Sequence, residues 1–300
     1  MTYIVKSTRG MSRRQTVVAA IAMAMLAAML FANAKLAFAQ FEDMPPRDVY
    51  RERGRTGGNQ MALCINSAGM MASFEKAVGE QIASRLLLTP KVIEVKTWHP
   101  TEPLDYRLPL SFEEIYIEFA ERCDGFMGFT LAQGYPSWLI ITRPYLSTRM
   151  VLAATSPEIR NLADIPVTRP IGTRMLSVVD NQLIVYLQSL PEKSRWQRLP
   201  YFNNKLLLDR LLDRTVAAAF VWEPALYRAT SGDPDSKGIH VIPPPFELAE
   251  TEFGIALRSN DAYLATTLGQ AIDSLRSDGT INQLLVEHML AARRQSAAKR

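Results

Sequence analysis

Arg122-Cys123-Asp124-Gly125-Phe126-Met127-Gly128-Phe129, followed by Gly134-Tyr135 and then Ile141-Thr142-Arg143-Pro144-Tyr145, is the stretch on which the fold turns. It reads as a short, mostly apolar strand with glycines admitted among bulky residues. Glycine weakens a strand, and its presence there marks a place where something approaches the backbone closely. After Phe129 comes an irregular loop, then an apolar run that stops at Pro144, which can continue neither a helix nor a central strand. A buried strand opening into a loop at its carboxyl end is how open α/β sheets build ligand crevices.

Upstream, Met61-Ala62-Leu63-Cys64-Ile65 reads as a buried strand, and Phe74, Ala77, Val78, Ile82 and Leu86 recur at helical spacing. Val92, Ile93 and Val95 make a second strand before a Pro-rich loop around Pro100 and Pro103. Ser111 with Glu114 forms a capping box, opening a helix with Phe112, Ile115, Tyr116 and Phe119 on its stripe. That helix leads to the strand expected to begin at Cys123. Strand, helix, strand, helix, strand is the pattern of a parallel sheet covered on both faces.

Downstream, strands are expected over 150–154, 170–173, 198–202, 216–221 and 253–257. Helices are expected around 183–187 and over 204–214, 261–275 and 281–290, with a single helical turn over 161–166. Trp222-Glu223-Pro224 reads as a stop after the buried strand. The expected class is α/β, with mainly parallel sheets flanked by helices.

At the amino terminus, Lys6, Arg9, Arg13 and Arg14 precede a chargeless run from Thr16 to Ala32, and Ala37-Phe38-Ala39 supplies small residues at the two positions a signal peptidase reads. A signal peptide over 1–39 is expected, by the Sec or the Tat route; the alternative is an uncleaved anchor, since the run approaches spanning length. Residues 40–57 mix charges with Pro45-Pro46 and read as linker. The formal charge of +4 belongs largely to the first segment. Residues 1–39 hold five of the 34 Lys/Arg and none of the 30 Asp/Glu, so 29 basic groups face 30 acidic ones in the remainder. Four more basic residues sit in the tail from Arg293 to Arg300. Nothing clusters basic charge on one folded face, so nucleic acid is not an expected partner.

Two cysteines, Cys64 and Cys123, suit a disulfide in an oxidising compartment, the alternative being two buried thiols. Walker, dinucleotide, zincin and nucleophile-elbow motifs are absent, and His99, His240 and His288 lack ligand spacing. No cofactor or metal is expected, and the sequence argues for binding rather than catalysis.

With both halves in view, residues 60–291 resemble the bacterial periplasmic solute-binding proteins of family 3. The match is carried by Arg122-Cys123-Asp124…Met127-Gly128 with Thr142-Arg143-Pro144-Tyr145, by Phe220-Val221-Trp222-Glu223-Pro224, and by Glu252-Phe253-Gly254-Ile255-Ala256-Leu257 before the final helices. Within that superfamily the R-C-D-x-x-M-G…T-R-P-Y pattern looks most like the J-type accessory proteins associated with PQQ-dependent methanol and alcohol dehydrogenases. The resemblance implies the two-lobed type II fold, with lobe one at 58–148 plus 254–300, lobe two at 149–253, and crossings near Thr148–Val151 and Glu252–Ile255.

Two roles follow from it: accessory to a periplasmic quinoprotein dehydrogenase or its cytochrome, or receptor for a small polar or anionic solute delivered to an ABC permease. An enzyme on this scaffold is a third class, with Glu223 as its base. Strand ends nominate Asn66, Ser67, Phe129, Thr130, Thr173, Arg174, Trp222 and Glu223 as ligand-binding residues, and Arg143 joins them. Amino-acid-binding members carry Thr-x-x-Arg soon after the third strand to fork a carboxylate. Here that place reads Thr130-Leu131-Ala132-Gln133, without the arginine. Gly172-Thr173-Arg174, leading into a helix, offers instead backbone N–H groups suited to an anion.

Overall fold

The computed structural model describes residues 59–96 and 110–292. The expected signal segment 1–39, the linker 40–57, the loop around Pro100 and Pro103, and the basic tail from Arg293 lie outside these residues. Strand β1 (Gln60–Asn66) pairs in parallel with β2 (Thr89–Val95) along its whole length and with β3 (Gly125–Thr130) at Leu63 and Cys64. Helix α1 (Ala72–Arg85) joins β1 to β2, and α2 (Phe112–Glu121) leads into β3. The Ser111–Glu114 capping box expected from sequence is present at the start of α2.

Then come β4 (Leu139–Ile141), β5 (Leu146–Ala154), β6 (Ile171–Arg174), α3 (Val178–Ser189), β7 (Arg198–Tyr201), α4 (Asn204–Leu212) and β8 (Ala218–Trp222). The chain ends with α5 (Glu223–Ala229), β9 (His240–Ile242), β10 (Glu250–Arg258), α6 (Ala262–Ser277) and α7 (Thr280–Glu287). The strand order is β2-β1-β3-β10-β5-β8-β6-β7, with β4 on β10 and β9 on β5. Outer strands pair in parallel, as expected; β5 and β10 run antiparallel to their neighbours and to each other. Each half of the sheet is covered on both faces. In the first, Met61, Leu63 and Ile65 of β1 face α1, α6 and α7, while Cys64 faces α2. In the second, Val151, Ala153, Ala219 and Val221 face α4 and α5, while Leu152, Ala154, Ala218 and Phe220 face α3.

Several details depart from the sequence reading. Strand β8 stops at Trp222, as expected, and Pro224 adds a detail the sequence reading did not give: it sits in the first turn of α5, where a missing N–H costs nothing. Three residues of β9 were not expected at all, since a strand that short carries too little periodicity to read. Cys123 stands in the turn leaving α2, two residues before β3, so strand register does not govern its partner. Cys64 and Cys123 form a disulfide with Cα atoms 5.7 Å apart, 59 residues apart in sequence. The flanking residues tie the same corner. Arg122 donates to Glu118 one turn back, and buried Asp124 accepts from the Ala62 N–H at 2.8 Å while its own N–H donates to the Ala62 carbonyl. Reduction should remove about 4 kcal/mol of stability on the chain-entropy model. Calorimetry with and without reductant should therefore register a fall in Tm of roughly 10 °C.

Candidate functional site

Strands β1 and β3 both end, at Asn66 and Thr130, on a cavity of about 680 Å³. The loop after β1, the first turns of α1 and α2, and Trp222 from the second half complete its wall. The wall is mainly apolar and aromatic. Phe126, Phe129, Tyr135 and Phe112 form a run of ring contacts, with successive centroids 5.8–5.9 Å apart. Tyr135 is held by its hydroxyl, which donates to the Thr130 carbonyl at 2.9 Å. Met70 and Trp222 each pack against a core of the first half and a core of the second, so they span the seam. Trp222 is oriented by its Nε1–H, which donates to Thr148 Oγ1 at 2.7 Å, and Arg228 of α5 reaches across to the Met70 carbonyl.

Two acids line this wall, Glu75 and Glu113, and of the two Glu75 is the buried one. Glu75 of α1 is only 5% exposed, and its one hydrogen-bond partner among the described residues is the Tyr145 hydroxyl, at 3.3 Å. That is longer than a good O–H···O bond, so the carboxyl is thinly satisfied. Burial pushes the Glu75 pKa from its ordinary 4.5 up to about 7, and Tyr145 opposes this only in part. Burial, then the neighbouring carboxylate, also drives the Tyr145 phenol upward. Gly128 makes room for the pair: its φ is +88°, and a Cβ there would stand 2.7 Å from Glu75 Oε1. The Met127-Gly128 of the deciding stretch is thus a place of close approach, with the carboxylate as what approaches.

The nominated residues divide. Asn66, Phe129, Thr130 and Trp222 line the cavity. Ser67 does not; its hydroxyl donates to the Val95 carbonyl at 3.2 Å. Arg143 pairs on the surface with Asp273 of α6. Glu223 opens α5 and meets Arg149 at 3.5 Å. Thr173 is fully buried and donates to Asp180 Oδ1 at 2.5 Å, while Arg174 is exposed. Asp180 also receives Arg198 at 2.6 Å and the Leu176 N–H at 3.3 Å. The protein's own carboxylate therefore occupies the turn in which an anion was expected, and like charge disfavours a second one. Among the described residues, Cys64, Glu118 and Cys123 are the gathering nearest to a metal ligand set, and the disulfide consumes both thiols.

Sequence reasoning passed over Glu75, Met70, Met71 and Tyr135. For Glu75 a signal existed: it stands three residues before Val78 and seven before Ile82, on the inward stripe of α1. A charge on a buried stripe is rare unless it is paired or used.

No protein-family model matches the chain, and no curated protein sequence matches it. Solved structures do. The second substrate-binding domain of a putative amino acid ABC transporter from Streptococcus pneumoniae is 14% identical with a TM-score of 0.59, over 77% of this chain and 100% of that one. Substrate-binding domain 2 of Lactococcus lactis GlnP, in an open conformation, is 12% identical with a TM-score of 0.59, over 79% and 97%. The L-cystine solute receptor of Neisseria gonorrhoeae, unliganded and open, gives 14%, 0.59, 78% and 95%. At such identities the likeness is one of fold, and the fold is that of the type II periplasmic binding protein domains.

The raised Glu75 pKa makes stability depend on pH with a definite sign. The folded state holds the Glu75 proton more tightly than the unfolded chain, so this contribution is complete below pH 4.5 and is lost as pH rises through 7. Glu75→Gln lacks the dependence. Urea unfolding should find the variant gaining about 3 kcal/mol on the native protein between pH 4.5 and pH 8.

Proposed function

We propose that this chain is a non-catalytic solute-binding protein of the periplasm that presents a small molecule to an ABC permease. The observation that carries the reading is the 680 Å³ cavity at the carboxyl ends of β1 and β3, walled from both halves of the sheet. Pockets that hold small guests are mostly apolar with a few placed polar groups, and they favour seams between structural units. We take 58–148 plus 254–300 and 149–253 as the two lobes, with β5 and β10 passing between them. An amino-terminal export signal and the Cys64–Cys123 bond suit an oxidising compartment. Catalysis is disfavoured by the position of Glu223, which is absent from the cavity wall and engaged by Arg149.

The guest inferred from the cavity differs from a polar or anionic solute: it has a largely apolar body. The quinoprotein accessory role drew on Arg122-Cys123-Asp124 and Thr142-Arg143-Pro144-Tyr145, and these residues serve the fold. Thr142 Oγ1 accepts the Ile255 N–H at 3.0 Å, Arg143 holds α6, and Tyr145 holds Glu75.

Thermal unfolding against a library of small metabolites tests the binding role. At least one apolar-bodied compound should raise Tm saturably by several degrees, as expected for a ligand selective for the native state. Thr130→Trp, which fills the mouth of the cavity, should abolish the shift; a shift that survives in this variant places the guest elsewhere and overturns the reading. Closure is tested separately. Arg228→Ala removes the hydrogen bond to the Met70 carbonyl across the seam while changing no side chain of the cavity wall, and it should weaken that compound roughly five-fold, equal to about 1 kcal/mol.

A further inference from the structure

Resting on that binding role, we propose that the guest is a protonated monoamine, an alkyl- or arylalkyl-ammonium with N–H groups and no carboxylate, and that Glu75 receives the ammonium. The polar chemistry of the wall is lopsided. Its charged members among the described residues are Glu75 and Glu113, and no lysine, arginine or histidine joins them. Among the described residues a guest carboxylate would meet two acids and no guanidinium, so an amino acid is disfavoured even though its ammonium end would be accepted. The amino terminus of α2 also opens on the cavity, and helix starts attract anions. Here that end is already served: Ser111 and Glu114 close the capping box, and Glu113 adds a further acid in the first turn.

Glu75 suits a donor-rich cation. Its carboxyl is nine-tenths and more buried, lines the cavity, and among the described residues has a single long hydrogen bond. A buried carboxylate without a counter-charge is costly, and an ammonium delivering N–H groups supplies both charge and hydrogen bonds. Phe112, Phe126, Phe129, Tyr135 and Trp222 line the same space, and aromatic rings around a guest favour a cation over a neutral isostere. The apolar remainder of the guest would fill the part of the cavity toward Met70, Met71 and Ile115.

Titratable groups near Glu75 are few. Tyr145 reaches it from the segment entering β5, β3 presents only Gly128, Glu113 stands on α2, and His288 after α7 packs on Phe74 and Ser73 of α1. Tyr145 is the one in contact. An ammonium entering below pH 7 therefore displaces the Glu75 proton to solvent, and affinity rises with pH until Glu75 is ionised without a guest.

Three phenyl compounds of similar size separate the possibilities: 2-phenylethylamine, 2-phenylethanol and 3-phenylpropionate, titrated calorimetrically into the mature chain at pH 6 and pH 8. The amine should bind at least about ten-fold tighter than the alcohol at pH 8, with the propionate weakest, the order of gain expected for one charge-assisted contact. Its heat at pH 6 should vary with the ionisation enthalpy of the buffer, reporting the released proton. Glu75→Gln should bring the amine down to the alcohol's affinity and leave the alcohol unchanged. Tyr145→Phe, which removes the group that lowers the Glu75 pKa, should move the midpoint of amine binding to higher pH; a merely structural tyrosine would not move it.

Equal binding of amine and alcohol, a preference for the propionate, or an amine affinity indifferent to Glu75→Gln overturns this inference and leaves the binding cleft standing. If none of the three binds while a library compound of other chemistry saturates the cavity, the inference alone falls. If nothing saturates it, the binding role falls as well.

Discussion

The pairing of β5 with β10, at Leu146–Arg149 against Glu250–Phe253, is the constraint on which the rest of the molecule depends. Both strands are nine residues long; β5 pairs with β10 at its start and with β8 and β9 toward its end, while β10 runs from β5 to β3 and β4. Four residue pairs hold this bridge. Where β10 leaves β5 and joins β3, its register shifts between Gly254 and Ile255. A side chain at Gly254 would collide with Ile141 Cγ2 at 2.7 Å and the Thr142 carbonyl at 2.9 Å. Glycine permits the bulge, Thr142 stitches its far side, and the next turn of chain delivers Tyr145 to Glu75. The bridge between the strands and the partner of the buried acid therefore share one local arrangement of backbone.

How far the sequence could be read follows from the kind of signal each element leaves. Strands β1 and β8 are continuous apolar runs, α2 announces itself with a capping box, and α6 carries a regular stripe; each was legible within a few residues. The short β9 was not, because three residues hold less than two periods of alternation. The strand stop at Trp222-Glu223-Pro224 was legible, but the helix that opens there was not, because proline stops a strand and starts a helix equally well. The site was half legible. Strand ends pointed to Asn66, Phe129, Thr130 and Trp222, since topology puts strand termini at the crevice. Thr173 and Arg174 satisfied the same rule, but the rule is blind to which carboxylate, guest or internal, fills a helix start. Asp180, seven residues beyond Thr173, takes that place.

The deciding stretch illustrates the difference between a motif and a site. Arg122, Cys123 and Asp124 each make a tie to α2 or β1, and none lines the cavity. Arg143 and Pro144 tie the chain to α6, the latter through its carbonyl to Arg276. Of this stretch, Phe126, Met127, Gly128, Phe129 and Tyr135 line the cavity, beside the acid that Gly128 admits. A charge buried on the stripe of α1 at a cost in stability is what a purely structural helix would lack, and such costs concentrate where a protein handles something other than itself.

The disulfide has a consequence for how the pocket is kept together. Asn66, Gly69, Met70, Met71, Glu75 and the α2 residues from Leu110 to Ile115 that line the cavity all fall between Cys64 and Cys123, and the β3 wall follows within a few residues. The oxidised chain thus encloses most of its binding wall in one covalent ring. A single backbone cut anywhere inside that ring leaves one connected molecule rather than two, so β1 and α1 cannot diffuse away from α2 and β3. Most of the cavity wall therefore stays attached to the molecule after one nick.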